Sequence, residues 1–287
     1  MVRKLDKTDE MPTTGHEWDG IREYDTPMPR WWVLTFYGTI VFSVIYMILF
    51  PAIPLINGAT PGVLGYSTRA AVQEDIETFR QANADLDTRL VETELTEISA
   101  DADLNRYAVA GGAAVFRTYC AQCHGAGAGG GVGYPNLVDD AWLWGGDIEA
   151  IHQTIAHGIR AESDPDTRFS QMPAFGDDYL SDEEIAQVVE HVLAISGQDH
   201  DADLATPGAT VFADNCAACH GDQGEGMRDL GAPNLTDAIW LYGGDRDTLI
   251  QTVTYSRAGM MPPWTGRLTE AQIRQVSVYV HQLGGGE

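Results

Sequence analysis

A five-residue pattern occurs twice in this 287-residue chain and uses all four of its cysteines. CAQCH occupies positions 120–124 and CAACH occupies positions 216–220. Three further matches follow in the same order. PNLVDDAWLWGGD at 135–147 matches PNLTDAIWLYGGD at 233–245, and MP at 172–173 matches MP at 261–262. LSDEEIAQVVEHVLAISG at 180–197 matches LTEAQIRQVSVYVHQLGG at 268–285. Such an ordered series predicts a duplicated unit of about 90 residues, and two copies are too few for a solenoid.

Each copy has the residue pattern of helices and no convincing run of strands. A short helix is predicted to carry each C-x-x-C-H, and a middle helix is predicted from about Ile148 to His157 and from about Arg246 to Ser256. A last helix should begin after Ser181 and after Thr269, because a Glu or a Gln follows three residues later and completes a capping box. The repeated unit is therefore predicted to be all-α.

The repeated cysteine pattern indicates a cofactor. C-x-x-C followed directly by His is the signature of c-type haem attachment, since this spacing can bring two thiols and an imidazole to one face of a haem. The residues concerned are Cys120, Cys123 and His124 in the first copy and Cys216, Cys219 and His220 in the second. A zinc site built on the same cysteines is the alternative.

An uncharged run near the start of the chain predicts a membrane anchor. Residues 31–56, WWVLTFYGTIVFSVIYMILFPAIPLI, are long enough at about 1.5 Å per residue to cross a hydrocarbon core of about 30 Å. Trp31, Trp32 and Tyr37 at its first end are typical of a membrane interface. The run exceeds the apolar region of a signal peptide, about 7–15 residues, and its polar flanks disfavour a buried core helix.

Basic residues near this run predict its orientation. Those before it are Arg3, Lys4, Lys7, Arg22 and Arg30, and the next one after it is Arg69. Positive charge is retained on the inner side of the membrane, so the N-terminus should be cytoplasmic and the larger part of the chain periplasmic. Bacterial haem c attachment takes place on that outer face, so topology and chemistry agree. The expected location is the bacterial inner membrane, crossed once.

The charge balance limits the partners. The chain has 17 Lys+Arg against 42 Asp+Glu, and the part after residue 30 has 12 basic and 35 acidic residues. Nucleic acid is excluded as a partner class, because phosphate binding needs clustered Lys and Arg. A basic protein partner fits the charge, and so does a merely well-solvated acidic surface.

Each copy resembles a class I cytochrome c domain. In that family two cysteines bind the haem, the adjacent His ligates the iron, and a Met from a later loop takes the opposite axial position. The resemblance implies two covalently bound haem c groups, one on Cys120 and Cys123 and one on Cys216 and Cys219, with His124, Met172, His220 and Met261 as axial ligands. It also implies that the carbonyls of Pro135 and Pro233 orient the two ligand histidines.

Other residues compete for the second axial position. Met260 is adjacent to Met261 but out of register with the first copy. His152 and His157 could give the first haem two histidine ligands, although the second copy has no histidine at these places. The sequence leaves open whether the two copies exchange their methionines.

Two matched tryptophans and two arginines accompany the predicted haems. Trp142 and Trp240 correspond between the copies, and either pack against the haem edge or donate a hydrogen bond to a haem propionate. Arg160 and Arg257 precede the Met-Pro loops, where they could face propionates.

The N-terminal part resembles a more specific family. HEWDGIREYDTPMPRWWVLTFYGTIVFSVIYMILFPAIP, followed by GYSTRA, is similar to the start of subunit III, the dihaem subunit of cbb3-type cytochrome c oxidases. The resemblance implies that electrons from a donor cytochrome c pass through this chain and a monohaem subunit to a haem–copper subunit. There oxygen is reduced to water and protons are pumped. The chain itself would relay electrons and would not be catalytic alone.

Two other functions compete with this one. A free-standing membrane-anchored dihaem cytochrome could shuttle electrons between respiratory complexes. A dihaem peroxidase would need an iron with an open position, and a methionine available in both copies argues against it.

The predicted architecture is all-α, with one transmembrane helix and two tandem class I cytochrome c domains. The predicted segments are a cytoplasmic stretch at 1–30, the transmembrane helix at 31–56, a partly helical periplasmic linker at 57–105, and cytochrome c domains at 106–200 and 201–287.

Overall fold

A computed structural model describes residues 12–287 of the chain. The chain divides at Ala82 into two compact units, and we describe each by itself. The basic residues Arg3, Lys4 and Lys7, on which the predicted orientation partly depends, lie outside the described residues.

The first unit begins with a hairpin that the sequence interpretation did not contain. β1 (Thr13–Trp18) pairs antiparallel with β2 (Ile21–Tyr24). Asp19 and Gly20 join them with φ angles of 51° and 83°. Asp-Gly suits a two-residue turn whose central residues both have positive φ, so a short hairpin forms here from local turn chemistry. This small sheet does not change the all-α class.

The apolar run forms a single helix that is shorter than the predicted span. α1 (Arg30–Leu49) has a mean hydropathy of 2.0 and no buried residue, and in the described part of the chain it is the one helix long and apolar enough to cross a membrane. Its end is fixed locally, because the carbonyls of Ile48 and Leu49 accept hydrogen bonds from the N–H groups of Val63 and Leu64 (2.8 and 3.1 Å). The residues beyond α1 fold into the two-residue strands β3 (Pro54–Leu55) and β4 (Gly58–Ala59).

The second unit is helical. Its elements are α2 (Thr68–Glu92, which begins before the division), a 3₁₀ turn (Leu95–Ala100), α3 (Ala102–Val115), a π turn (Phe116–Cys120), α4 (Ala121–His124), α5 (Ile148–His157), α6 (Asp182–Ile195), α7 (Ala202–Asn215), α8 (Ala217–His220), a 3₁₀ turn (Arg228–Leu230), α9 (Arg246–Tyr255) and α10 (Glu270–His281). The capping boxes predicted at Ser181 and Thr269 are both present. The middle helices α5 and α9 have nearly the predicted bounds.

The helices pack in an exchanged arrangement. α10 packs against α3 and α5, whereas α6 packs against α7 and α9. The last helix of each copy therefore lies against the other copy. We call α3, α4, α5 and α10 the first bundle, and α6, α7, α8 and α9 the second bundle. The predicted domains 106–200 and 201–287 follow the chain, but each contributes helices to both bundles.

Glycines allow the close approach of helices in each bundle. A Cβ on Gly112 of α3 would lie 2.1 Å from the carbonyl oxygen of Gln275 in α10. A Cβ on Gly208 of α7 would lie 2.0 Å from the carbonyl oxygen of Gln187 in α6. These two glycines occupy corresponding positions of the repeat, so both bundles use the same backbone-to-backbone crossing.

Each bundle has its own apolar core. The first core contains Val115, Phe116, Ile151 and Ile155 together with Trp264, Leu268, Ile273, Val276 and Val280 from the second copy. The second core contains Phe212 and Leu249 together with Val188, Val189, Val192 and Leu193 from the first copy. Burial of these apolar side chains is the main force that holds the exchanged helices in place.

The bundles differ in one pair of residues, which in the second bundle joins the exposed Arg246 to the buried Glu190. In the second bundle, Arg246 donates two hydrogen bonds to the buried carboxylate of Glu190, one of them at 3.1 Å, and the backbone N–H of Asp201 donates a third at 2.7 Å. The corresponding residues of the first bundle are Ile148 and Val278, which are buried in an apolar cluster. An ion pair in one bundle thus replaces an apolar contact in the other.

The end of the linker is part of the second unit. Leu90 of α2 and Ile98 of the following 3₁₀ turn are fully buried and cluster with Val278 of α10. Arg274 of α10 donates hydrogen bonds to the carbonyls of Leu90 (3.1 Å) and Thr93 (2.6 Å), which satisfies acceptors at the C-terminal end of α2. From Asn83 onward the linker is therefore not a free spacer.

Candidate haem-binding sites

A carbonyl orients the histidine of each C-x-x-C-H. The Nδ1 atom of His124 lies 3.0 Å from the carbonyl oxygen of Pro135, and that of His220 lies 3.0 Å from the carbonyl oxygen of Pro233. A carbonyl can only accept, so Nδ1 carries the proton in both rings. This fixes the ring orientation and leaves the Nε2 lone pair available to a metal. The two prolines therefore hold the two rings by the same contact, and their role beside a haem stays a prediction.

Burial favours the neutral form of the two histidines and of one thiol in each motif. Burial lowers the pKa of His124 and His220, and the hydrogen bond to the proline carbonyl opposes this shift. Burial also raises the pKa of Cys120 and Cys216 to about 11, with a smaller contribution from the neighbouring cysteine. Neutral imidazoles and thiols suit an apolar cofactor cavity.

Backbone hydrogen bonds hold the loop after each motif. The N–H of Gly130 donates to the carbonyl of His124 (2.8 Å), and the N–H of Gly226 donates to that of His220 (2.7 Å). A Cβ on Gly130 would lie 2.4 Å from the carbonyl oxygen of Tyr134, and its φ is +65°, so only glycine fits there without strain. The two loops differ in length but place their histidines in the same way.

A cavity of about 500 Å³ adjoins the first motif. It is lined by Cys120, Cys123 and His124 of the first copy and by Met261 and Trp264 of the second. This volume lies in the range of cofactor pockets. The methionines that share this cavity with His124 are therefore the adjacent Met260 and Met261 of the second copy, and Met172 is not among the lining residues.

Reciprocal backbone contacts hold the exchanged methionine loops. Met261 and Ile159 donate a hydrogen bond to each other's carbonyl, at 3.1 and 3.0 Å. The matching loop of the first copy lies against the second, because the hydroxyl of Ser256 donates to the carbonyl of Met172 at 2.6 Å. Ser256 directly follows α9, so Met172 lies on the second bundle.

The same exchange repeats in the residues after each methionine. The N–H of Trp264 donates to the carbonyl of Ile155 in α5 (3.1 Å), and the N–H of Phe175 donates to the carbonyl of Val253 in α9 (3.0 Å). Trp264 and Phe175 are both buried. Each loop is thus attached to the middle helix of the other copy by the same backbone hydrogen bond, and each carries a buried aromatic side chain at the donor position.

The competing axial residues are largely exposed or are engaged in other contacts. Met260 lines the first cavity but is largely exposed. The Nε2 atom of His152 lies 3.0 Å from a carboxylate oxygen of Glu270. His157 lies 3.2 Å from the carboxylate of Asp164. In residues 12–287 the one group of three side chains placed to hold a bare metal ion is His157, Asp164 and Asp166, which includes no cysteine.

The two matched tryptophans pack beside the cores. Trp142 packs against the first core, and its indole N–H donates to the carbonyl of Gly285. Trp240 packs against the second core. The indole N–H of Trp142 thus already has an acceptor within the chain.

A second cavity of about 830 Å³ is lined by residues of both copies. Matching stretches of both copies line it, including Pro135 and Trp142 from the first and Pro233 and Trp240 from the second. The two prolines that orient His124 and His220 thus face a common space. The candidate sites are neighbours within one unit.

The residues present fit a covalently attached haem. Each motif offers two free thiols and one oriented imidazole, and at the first motif an apolar cavity has a thioether side chain in its wall. Bound haem c supplies one-electron redox chemistry, and imidazole with thioether ligation favours the ferrous state. The chain's part is to orient the ligands and to exclude water.

Family models match most of this chain. A model described as the N-terminal domain of cytochrome oxidase-cbb3, FixP, matches residues 10–57, and one described as cytochrome c oxidase, cbb3-type, subunit III matches residues 108–192 and 203–280. This chain belongs to the subunit III family of cbb3-type cytochrome c oxidases. The family resemblance predicted from the N-terminal segment is confirmed.

Relatives of subunit III align along the full chain. The cbb3-type cytochrome c oxidase subunit CcoP of Cereibacter sphaeroides is 66% identical, over 98% of this chain and 97% of the relative. CcoP of Rhodobacter capsulatus is 54% identical over the whole of both chains, and FixPc of Rhizobium leguminosarum bv. viciae is 47% identical over 99% of each.

Membership in this family fixes the general role. The chain is an electron-transfer subunit of a cbb3-type oxidase, with two c-type haems as its cofactors and other oxidase subunits as its partners. It is membrane-anchored, in keeping with α1. The predicted fold class, function and cofactors are confirmed at this level.

Proposed function

We propose that this chain relays electrons from a donor cytochrome c to the catalytic core of the oxidase through two haems with exchanged methionine ligands. The first haem would be held by Cys120, Cys123, His124 and Met261, and the second by Cys216, Cys219, His220 and Met172. The observation that carries this assignment is the cavity shared by His124 and Met261. The hydrogen bond from Ser256 to Met172 supports the second half by symmetry.

The same proposal names specific partner subunits, an electron donor and an orientation in the membrane. Electrons would pass to a monohaem cytochrome c subunit and then to a haem–copper subunit, which reduces oxygen to water and pumps protons. The strongly acidic chain suits a basic cytochrome c as donor. Arg22 before α1 and Arg30 at its first position support a cytoplasmic N-terminus, periplasmic haems and contact of α1 with inner-membrane lipid.

Purification in mild detergent tests the assembly. The chain should copurify with a large hydrophobic subunit and a second c-type cytochrome, and haem staining of the denatured chain should give two haem equivalents. Recovery of the chain alone would favour the free-standing electron carrier instead.

Cysteine variants test the two attachment sites. Cys120→Ala and Cys216→Ala should each lower covalent haem from two equivalents toward one, because each removes one thioether. Cys120→Ser and Cys216→Ser, which change volume less, should have the same effect. Two full equivalents in any of these variants would contradict the assignment.

A further inference from the structure

Arg160 occupies an unusual position where the two methionine loops cross. It follows α5 and has a φ of +54°, a left-handed conformation that side chains other than glycine rarely adopt. Its backbone N–H donates to the carbonyl of Arg168 at 2.8 Å. Such a conformation costs free energy and persists where surrounding contacts hold it, which is often at a functional site.

The guanidinium of Arg160 contacts both methionine loops. Its Nε donates to the carbonyl of Gly259 at 2.6 Å, and its Nη1 donates to the carbonyl of Ser170 at 2.8 Å. Gly259 lies two residues before Met261, and Ser170 lies two residues before Met172. One side chain therefore fixes the approach of both candidate iron ligands.

The charge of Arg160 has no acidic partner in the described part of the chain. Its guanidinium is partly buried and lines the first cavity beside His124. Its hydrogen bonds go to backbone carbonyls, and burial lowers its pKa with only Tyr242 acting against the shift. A partly buried cation without a carboxylate is unusual in a chain of net charge −25.

We propose that Arg160 is a positioning residue for both haems: it holds the two methionine loops at their crossing and pairs with a propionate carboxylate of the haem in the first cavity. The inference rests on the proposed function, because it requires a haem there. Haem carries two carboxylates, so it supplies the anion that the guanidinium lacks. The planar fork of Arg suits this task, since it can bind carbonyls on one side and a carboxylate on another.

Arg257 provides a matched control. It also precedes a methionine loop, but its Nη2 donates to Gln251 at 2.7 Å, within the same copy, and its guanidinium lies over the ring of Tyr242. Arg257→Gln removes the same charge near the crossing without removing a bond to either loop.

The experiment compares Arg160→Gln, Arg160→Lys and Arg257→Gln in the purified full-length oxidase. Two properties are measured: the methionine-to-iron charge-transfer band of the ferric haems, and the reduction potential of each haem. Potentials are assigned with Met172→His and Met261→His backgrounds, each of which leaves one methionine-ligated haem. Neither readout depends on turnover.

We expect Arg160→Gln to weaken the charge-transfer band of both haems and to lower the potential of the first haem more than that of the second. A nearby positive charge favours ferrous over ferric iron, so its loss should shift the first haem's reduction equilibrium at least tenfold, which is about 59 mV for one electron. Arg160→Lys should leave the reduction potential of the first haem close to the wild-type value, because the positive charge remains. It should still weaken the charge-transfer bands of both haems, because an ammonium cannot reproduce the planar hydrogen-bonding geometry of the guanidinium. Arg257→Gln should leave both bands intact.

Three outcomes would overturn the inference. They are unchanged bands in Arg160→Gln, a band weakened at one haem alone, and an equal effect of Arg257→Gln. A wild-type protein without two covalent haems, or without a methionine band, would instead contradict the proposed function. The two failures are thereby distinguishable.

Discussion

The two candidate ligand histidines are oriented by carbonyls 11 and 13 residues further along the chain. The resemblance to class I cytochrome c domains implied this contact, and the Pro-Asn-Leu stretch stands after C-x-x-C-H in both copies. The capping boxes at Ser181 and Thr269 were predictable from the residues themselves, because the decisive residues are three positions apart. Which methionine faces which histidine was not predictable, since residue types do not encode the exchange.

A methionine-to-histidine change tests the exchanged ligands. Met261→His should lower the potential of the haem on Cys120 and Cys123, and not that of the other haem, because a thioether favours ferrous iron more than an imidazole does. A fall of several times ~59 mV, the value of a tenfold change in a one-electron equilibrium, is expected. Redox titration of the Met261→His protein measures it.

Met260→His serves as the control for Met261→His, since Met260 is adjacent but largely exposed. In the Met260→His protein, the reduction potential of the haem on Cys120 and Cys123 should stay close to the wild-type value. If Met261→His changed the haem on Cys216 and Cys219 instead, each methionine would serve its own copy and the exchange would not extend to the iron ligands.

At the scale of elements, both last helices cross a first helix of the other copy at a glycine. This exchange was hidden from the sequence because α6 and α10 present similar apolar faces, and spacing along the chain does not say which partner each one covers. Gly112 and Gly208 correspond at a fixed offset, which signals a shared close contact, but not its partner.

Gly112→Ala should destabilise the first bundle. The added Cβ would lie 2.1 Å from the carbonyl oxygen of Gln275, so α10 must move, at a cost of about 1–3 kcal/mol. Thermal unfolding of the holo-protein and the charge-transfer band of the first haem should both report the change. Gly127→Ala is the control, because its Cβ would meet nothing within 4 Å. Equal melting temperatures for the two variants would show that α3 and α10 do not cross so closely.

The bundles should differ in their response to acid. The hydrogen bonds from Arg246 lower the pKa of Glu190, with a further contribution from the N–H of Asp201. A group whose pKa is depressed by folding stabilises the protein above its unfolded pKa and loses that contribution as pH falls through its folded pKa. The second bundle should therefore begin to lose the stability contributed by Glu190 below about pH 4.3, the ordinary pKa of a glutamate.

Replacing the ion pair with the apolar pair of the first bundle isolates this effect. Glu190→Val with Arg246→Ile, which introduces the residue types of Val278 and Ile148, should shift the acid-unfolding midpoint of the second bundle to lower pH. Circular dichroism and the haem absorbance follow the transition. The same midpoint in both proteins would mean that Glu190 is not the acid-sensitive group.

The whole molecule is strongly acidic, and this charge should raise the rate at which it associates with a basic donor. Reduction by a basic cytochrome c should slow by about tenfold or more between low salt and ~0.15 M, because salt screens the attraction between opposite charges. Stopped-flow reduction measures the rate, and a neutral small-molecule reductant is the control. A rate indifferent to salt would leave the acidic surface with a solvation role only.

The connection between α6 and α7, residues 196–201, joins two helices of the second bundle. A protease cut there would yield fragments of which neither contains a whole bundle: the first would lack α10, and the second would lack α6. The fragments should therefore remain entwined as a heterodimer, each completing the other's interior. Recombination could therefore not replace one repeat independently. A foreign copy would have to pack correctly into the apolar cores of both bundles at once.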